Sequence, residues 1–177
     1  MTEIKTERLR LRPPRLEDGE AMVVYLNDYE AARMMARIPH PYTLEDWEGF
    51  FDHIQNGPEE FFVLTDKENG QLLGAISFAH EGAEPILGYW LGAPHRGKGL
   101  MREAGVAMLR HGFAAGVPSI KSGHFKDNAA SGKVLTALGF IAFEVGDETS
   151  LARGDELIPH VTMRLTRERF EELYPAG

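Results

Sequence analysis

Hydrophobic positions along the chain change period several times, and each change marks an element. Across Thr6 to Arg12, Leu9 and Leu11 alternate with Arg8, Arg10 and Arg12, the two-residue period of a strand with one polar face. Pro13-Pro14 ends it. Glu17-Asp18 opens a helical stretch holding Ala21, Met22, Val24 and Tyr25, and a second stretch covers Ala31 to Arg37 before Pro39. Trp47, Phe50, Phe51 and Ile54 lie on one helical face, so Thr43 to Gln55 reads as an amphipathic helix. Thr43 and Asp46 form its capping box, Gly57-Pro58 its stop. The aromatics of that face are expected in the core rather than around a ligand.

The middle of the chain is strand-like: Phe61 to Thr65, Leu72 to Phe78 and Ile86 to Leu91, with turn residues from Asp66 to Gly70. Such short connections predict an antiparallel meander. Then the period becomes helical. Leu100, Ala104, Ala107 and Met108 form one stripe and Val106, Leu109 and Phe113 another, so this helix is expected to pack against a sheet. Ile120 to Phe125 is the next strand. Ser131, Val134, Leu135 and Leu138 mark a helix closed by Gly139. Phe140 to Val145 and Leu157 to Leu165 read as strands, and Thr166 to Leu173 as a last helix. Helices, a meander, then alternating strands and helices predict a mixed α/β sheet. The 177 residues suit one domain, with a core over about residues 6–166.

Composition narrows the chemistry. Lysine and arginine number 19 against 27 aspartate and glutamate, a net charge of −8 that disfavours nucleic acid and suits cationic partners such as amines. The absence of cysteine removes disulfides and thiolate nucleophiles. No apolar run approaches the ~18 residues of a membrane helix, and the opening MTEIKTERLRLRPP has no hydrophobic run after its charges. A soluble cytoplasmic protein without membrane contact is expected. The histidines form no close pair, so no metal site is expected either.

Against this acidity, Pro85 to Arg102 contains no acid at all. Arg96, Lys98 and Arg102 interleave with Gly97 and Gly99, a strand leads in and a helix leads out. Glycines let successive backbone amides converge, and a helix start adds about +0.5 charge. The stretch therefore predicts an anion site for a phosphate or diphosphate. A strand–helix turn with packing glycines is the plain structural alternative. Two nucleotide-binding patterns are nearly met. The Walker-type loop from Gly92 to Lys98 has Gly99 where Ser or Thr is needed, and Gly97-x-Gly99-x-x-Arg102 lacks the third glycine of a dinucleotide loop.

A third pattern fits further. Arg96-x-x-Gly99-x-Met101 resembles the acyl-CoA-binding motif of the GNAT superfamily of N-acyltransferases, with a bulky Met101 where a small residue is usual. Downstream, Asn128-x-x-Ser131 followed by Leu138-Gly139-Phe140 is similar to a second signature of that superfamily. Thr6 to Pro13, Leu16-Glu17-Asp18 and Gly88-Tyr89-Trp90-Leu91 are most similar to the branch of ribosomal-protein N-terminal acetyltransferases. The resemblance runs from about Thr6 to Leu165. It implies a mostly antiparallel sheet splayed between the fourth and fifth predicted strands, Ile86–Leu91 and Ile120–Phe125. It implies acetyl-CoA as cosubstrate, with pantetheine along Trp90, Leu91 and Gly92. The diphosphate would sit on the amides of Gly97, Lys98, Gly99, Leu100, Met101 and Arg102, with charge from Arg96, Lys98 and Arg102. Asn128 and Ser131 would line the same cleft. An amine would attack the thioester directly, with a backbone N–H near Leu91 facing the oxyanion and Ser131 donating to the leaving sulfur. Glu84 and Glu103 are the candidate bases. Position 135 is leucine, where many members carry an acidic tyrosine. A non-catalytic acyl-CoA-binding module and a nucleotide-binding loop are the rival readings.

Overall fold

The computed structural model describes residues 2–80 and 82–175. Eight strands form one sheet in the order β1-β2-β3-β4-β5-β6-β8-β7. They are β1 (Ile4–Lys5), β2 (Leu9–Arg12), β3 (Glu60–Asp66), β4 (Leu72–Ala79), β5 (Ile86–Leu91), β6 (Ser119–Phe125), β7 (Ile141–Ser150) and β8 (Gly154–Thr166). Every neighbouring pair is antiparallel except β5 and β6. The expected mixed α/β sheet and its meander are both present.

Helices cover both faces because strand residues on both faces are apolar. On one face, α4 (Leu100–Ala114), α5 (Ala129–Leu138) and α6 (Arg167–Leu173) enclose a core with Leu9, Leu11, Phe62, Leu64, Ile76, Phe78 and Leu87 from the sheet. On the other, α1 (Gly19–Leu26) and α3 (Leu44–Asn56) bury Met22, Trp47 and Ile54 against Phe61, Val63 and Ala75. Trp47 is core, and its indole N–H donates to the Leu16 carbonyl at 2.9 Å. Helix α4 lies close to the sheet because Gly112 leaves room for Phe78; a Cβ there would sit 2.7 Å from the ring. The capping box of α3 forms as expected, with Asp46 N bonding Thr43 and Thr43 N bonding Asp46.

Three elements depart from the sequence reading. The strand over Thr6 to Arg12 is instead a tight hairpin of β1 and β2, because the Thr6 backbone and hydroxyl both bond Leu9 across the turn. The helix over Ala31 to Arg37 shrinks to α2, Tyr29–Ala32. Carbonyls just beyond α2 accept instead from the tip of the β7–β8 hairpin. Arg153 Nε donates to the Arg33 carbonyl (2.7 Å), Ser150 Oγ to that of Met35 (2.8 Å) and Leu151 N to that of Ala36 (3.0 Å). Good local helix formers yield here to long-range partners. Strand β7 runs five residues past the predicted Val145, to Ser150, because pairing with β8 carries it through polar residues that have no strand signature.

Candidate active site: a parted strand pair beside a run of free amides

Strands β5 and β6 run parallel and are in register only at Ile86 and Lys121. Lys121 N bonds the Pro85 carbonyl at 2.9 Å, and Ser122 Oγ donates to the Leu87 carbonyl at 2.8 Å. Beyond these the strands part, and the splay falls between the two strands the resemblance implies. Their far ends are tied through a helix: the Tyr89 hydroxyl lies 2.8 Å from Ser131 Oγ and 3.2 Å from the Ser131 carbonyl on α5.

Pairing with β4 decides which β5 groups face the opening. Gly92 N donates to the Leu73 carbonyl at 2.9 Å, so its amide is spent on β4. Backbone direction alternates along an antiparallel strand, so Trp90 also faces β4 while Tyr89 and Leu91 face the gap. The Leu91 carbonyl confirms that direction by accepting from Arg96 Nε at 3.0 Å. Of Trp90, Leu91 and Gly92, Leu91 thus offers its backbone to the opening. Trp90 packs on the opposite face, near the Tyr25 ring. Gly92 is needed for close approach, since a Cβ there would lie 2.6 Å from the Tyr25 ring. The Tyr25 hydroxyl meets His95 Nε2 at 3.0 Å. Burial, then the nearby Lys98, pushes His95 below its ordinary value.

After β5 the chain turns through a short 3-10 segment at Ala93–His95 and enters α4 by way of Gly97 and Gly99, each at φ 74°. This left-handed conformation is cheap only for glycine. The first amides of any helix lack an intrahelical acceptor, and the two glycines extend that deficit into the loop. Among the described residues, none accepts from the amides of Gly97, Lys98, Gly99, Leu100, Met101 or Arg102. Met101 does not obstruct them, because its side chain is buried in the core with Leu100 and Ala104. The departure from a small residue costs the loop nothing. Arg96, Lys98 and Arg102 are exposed around it.

The loop is buckled from behind by residues that the sequence does not mark as part of a site. Arg8 Nη1 donates to the Lys98 carbonyl at 2.9 Å. Its backbone N and Nε bond Glu103 at 2.8 and 2.7 Å, and Thr6 Oγ1 donates to the same carboxylate. Burial would raise the Glu103 carboxyl, but the bonds from Thr6 and Arg8 outweigh it and hold the group below its usual range. Arg8 is one of an alternating arginine row that the sequence presents as a solvated strand face. Tyr89 likewise sits inside a strand signature with nothing to mark its hydroxyl.

Glu84 stands at the closed end of the β5–β6 pair. It accepts from Ser119 Oγ, from Arg164 Nη2 at 2.9 Å and from Lys121 Nζ at 3.1 Å. The Ser119 bond and these cations lower its pKa from 4.5 to about 2. A carboxyl whose folded value is depressed stabilises the fold above its unfolded value and loses that contribution as pH falls through the folded one. Glu84→Gln is therefore expected to flatten acid destabilisation between about pH 4.5 and 2, read from thermal melts across that range.

Asn128 caps α5, its side chain accepting from Ser131 N at 3.1 Å. Ser131 is half-buried at the mouth of the gap. His124 packs beneath α5 against Gly132, with Nδ1 2.8 Å from the Phe125 carbonyl. Burial pushes Tyr89 up to about 12, so its phenol stays protonated at neutral pH.

A sheet parted between parallel neighbours, with uncommitted amides at the following helix start, has the geometry to take a diphosphate-bearing carrier along a strand edge. The profile of the acetyltransferase (GNAT) domain matches residues 8–141. The chain belongs to that family, and acetyl-CoA is its acyl donor. An uncharacterized N-acetyltransferase p20 from Bacillus licheniformis is 30% identical over 151 residues, 79% of this chain and 83% of that one. The ribosomal-protein-S5-alanine acetyltransferase of Vibrio fischeri superposes with TM-score 0.77 at 21% identity, covering 96% of this chain and 99% of the other. The spermidine N-acetyltransferase of Vibrio cholerae, in complex with CoA and spermine, gives TM-score 0.80 at 18% identity, covering 93% and 99%. Among the described residues no helix is long and apolar enough to cross a membrane.

Proposed function

We propose that the protein transfers the acetyl group of acetyl-CoA to a primary amine by direct attack within a ternary complex, the donor lying in the β5–β6 gap. The observation that carries this reading is the run of free amides from Gly97 to Arg102 at the mouth of that gap. These amides hold the diphosphate, and Arg96, Lys98 and Arg102 add charge from solvent, where each contributes little. The outward edge of Tyr89 and Leu91 holds the pantetheine arm, with Asn128 and Ser131 on the opposite wall. Attack by a neutral amine forms the C–N bond and a tetrahedral oxyanion, which the Leu91 N–H stabilises by a few kcal/mol. Collapse breaks the C–S bond, and Ser131 donates a hydrogen bond to the departing thiolate. The amine proton leaves to water, because Glu84 and Glu103 are both committed to cations and lie low. No cysteine is available for an acyl-enzyme.

The net charge of −8 favours an acceptor that is cationic before it loses its proton. Small amines and protein N-termini are both open acceptors, and solved neighbours named for a spermidine and for a ribosomal-protein alanine acetyltransferase make each worth testing. Calorimetry with acetyl-CoA and with ATP, followed by thiol release across N-terminal peptides, polyamines and small amines, tests it. Acetyl-CoA binding with turnover of at least one amine class is expected. Tight ATP binding with indifference to acetyl-CoA would overturn the donor site. Binding without turnover of any amine would leave a sensing module instead.

A further inference from the structure

Helix α5 carries no tyrosine in its sequence Ala129–Leu138, yet a phenol reaches its N-terminal turn from across the gap. We propose that Tyr89 is a positioning residue for transfer: its hydroxyl donates to Ser131 Oγ and so turns the serine proton into the cleft, toward the departing sulfur. This rests on the reading of Ser131 given above.

Three observations carry it. The two hydroxyl oxygens lie 2.8 Å apart and either can donate; the phenol proton is assigned here to this nearer oxygen rather than to the Ser131 carbonyl at 3.2 Å. A serine in a helix often spends its proton on the carbonyl four residues back. Here that would be Asp127, and among the described residues no such bond exists; the Asn128 cap uses the Ser131 backbone N and leaves the hydroxyl free. With its oxygen accepting from Tyr89, the serine proton has the open cleft to point into. Finally, Tyr89 is held between the core under α4 and α5 and the parted strand edge, so the phenol is fixed in direction and protonated at neutral pH.

The chemistry balances without a further group. The amine nitrogen bonds the acyl carbon, the C–S electron pair goes to sulfur, and the amine proton goes to water. Ser131 stabilises the thiolate by hydrogen bonding and keeps its own proton, and Tyr89 keeps its proton as well. Tyr89 therefore affects kcat through Ser131 and leaves acetyl-CoA binding untouched.

A double-mutant cycle tests this in a thiol-release assay, with folding checked by thermal melts. Ser131→Ala is expected to lower kcat about a hundredfold. Tyr89→Phe, which keeps the ring, is expected to lower it about tenfold with the KM for acetyl-CoA unchanged. The double variant should be no slower than Ser131→Ala alone, since the phenol then has nothing to orient. Tyr89→3-fluorotyrosine preserves the shape and makes the phenol more acidic, so it should bring an alkaline fall in kcat into the measurable range, even if Tyr89→Phe fails to fold. A slow Ser131→Ala combined with a silent Tyr89→Phe, with multiplicative losses in the double variant, or with an unchanged pH profile for the fluorinated enzyme overturns the role of Tyr89 alone. A silent Ser131→Ala removes the reading of Ser131, and the role of Tyr89 with it.

Discussion

The variant carrying both Gly97→Ala and Gly99→Ala is expected to bind acetyl-CoA about a hundredfold more weakly while melting at nearly the wild-type temperature. Both glycines sit at φ 74°, where an L-residue costs roughly 1–2 kcal/mol each. Two outcomes are open to such a strained loop. It can keep its shape, losing stability and retaining affinity, or relax to negative φ and turn its amides away. Relaxation wins here because the loop is exposed and, apart from the Arg8 bond to the Lys98 carbonyl, packs on little. A Cβ at Gly97 would meet nothing within 4 Å, and one at Gly99 would come no nearer than 3.7 Å to Arg8. About 2–4 kcal/mol of strain is then discharged as lost diphosphate contacts, and each 1.4 kcal/mol is a factor of ten. Calorimetry and thermal melts on the same preparation check it. A lowered melting temperature with unchanged affinity would show a loop held from outside and refute the argument.

Gly74→Ala should behave in the opposite way, through the fold. Its Cβ would lie 2.2 Å from the Trp90 carbonyl oxygen and 3.0 Å from the Leu91 Cα. Both are backbone atoms in the middle of a sheet, so no rotamer relieves the contact and β5 must move off β4. Overpacking in a core costs typically 1–3 kcal/mol, and the rigid neighbour puts this case at about 3. For a chain of this size the melting temperature should fall by about 6–12 °C. The same displacement misplaces the Leu91 edge, so kcat should fall at temperatures where the variant is still folded. A melting temperature within a degree or two of wild type would mean that β4 and β5 can separate here without cost.

The contrast between these glycines illustrates how far a sequence can be read. Gly97 and Gly99 are visible as loop glycines because they interrupt a basic run between a strand and a helix. Gly74 looks like any small residue in an apolar strand, and only the register with Trp90 and Leu91 shows its purpose. The same holds for the polar groups. Asn128 and Ser131 are readable from their spacing at a helix start. Glu84 and Glu103 look alike as nearby acids, yet pairing with Ser119, Arg164 and Lys121 in one case, and with Thr6 and Arg8 in the other, commits both to holding structure. Those partners are distant along the chain, so no local pattern announces them.

By itself the sequence determined the alternation of strands and helices, the packing of the β5-to-β6 helix against the sheet, and the place of the glycine-rich loop before it. Each of these rests on local periodicity or on backbone freedom, which a short window of residues encodes. Tertiary structure alone decided that Ala31–Arg37 gives up its helix to the β7–β8 tip, that Leu91 rather than Trp90 or Gly92 presents its backbone to the gap, and that Tyr89 meets Ser131 across it. Those outcomes depend on which strand edge is already paired and which distant carbonyl or hydroxyl arrives first. Hydrogen-bonding capacity is fixed residue by residue, but the partner that consumes it is chosen only when the chain is folded.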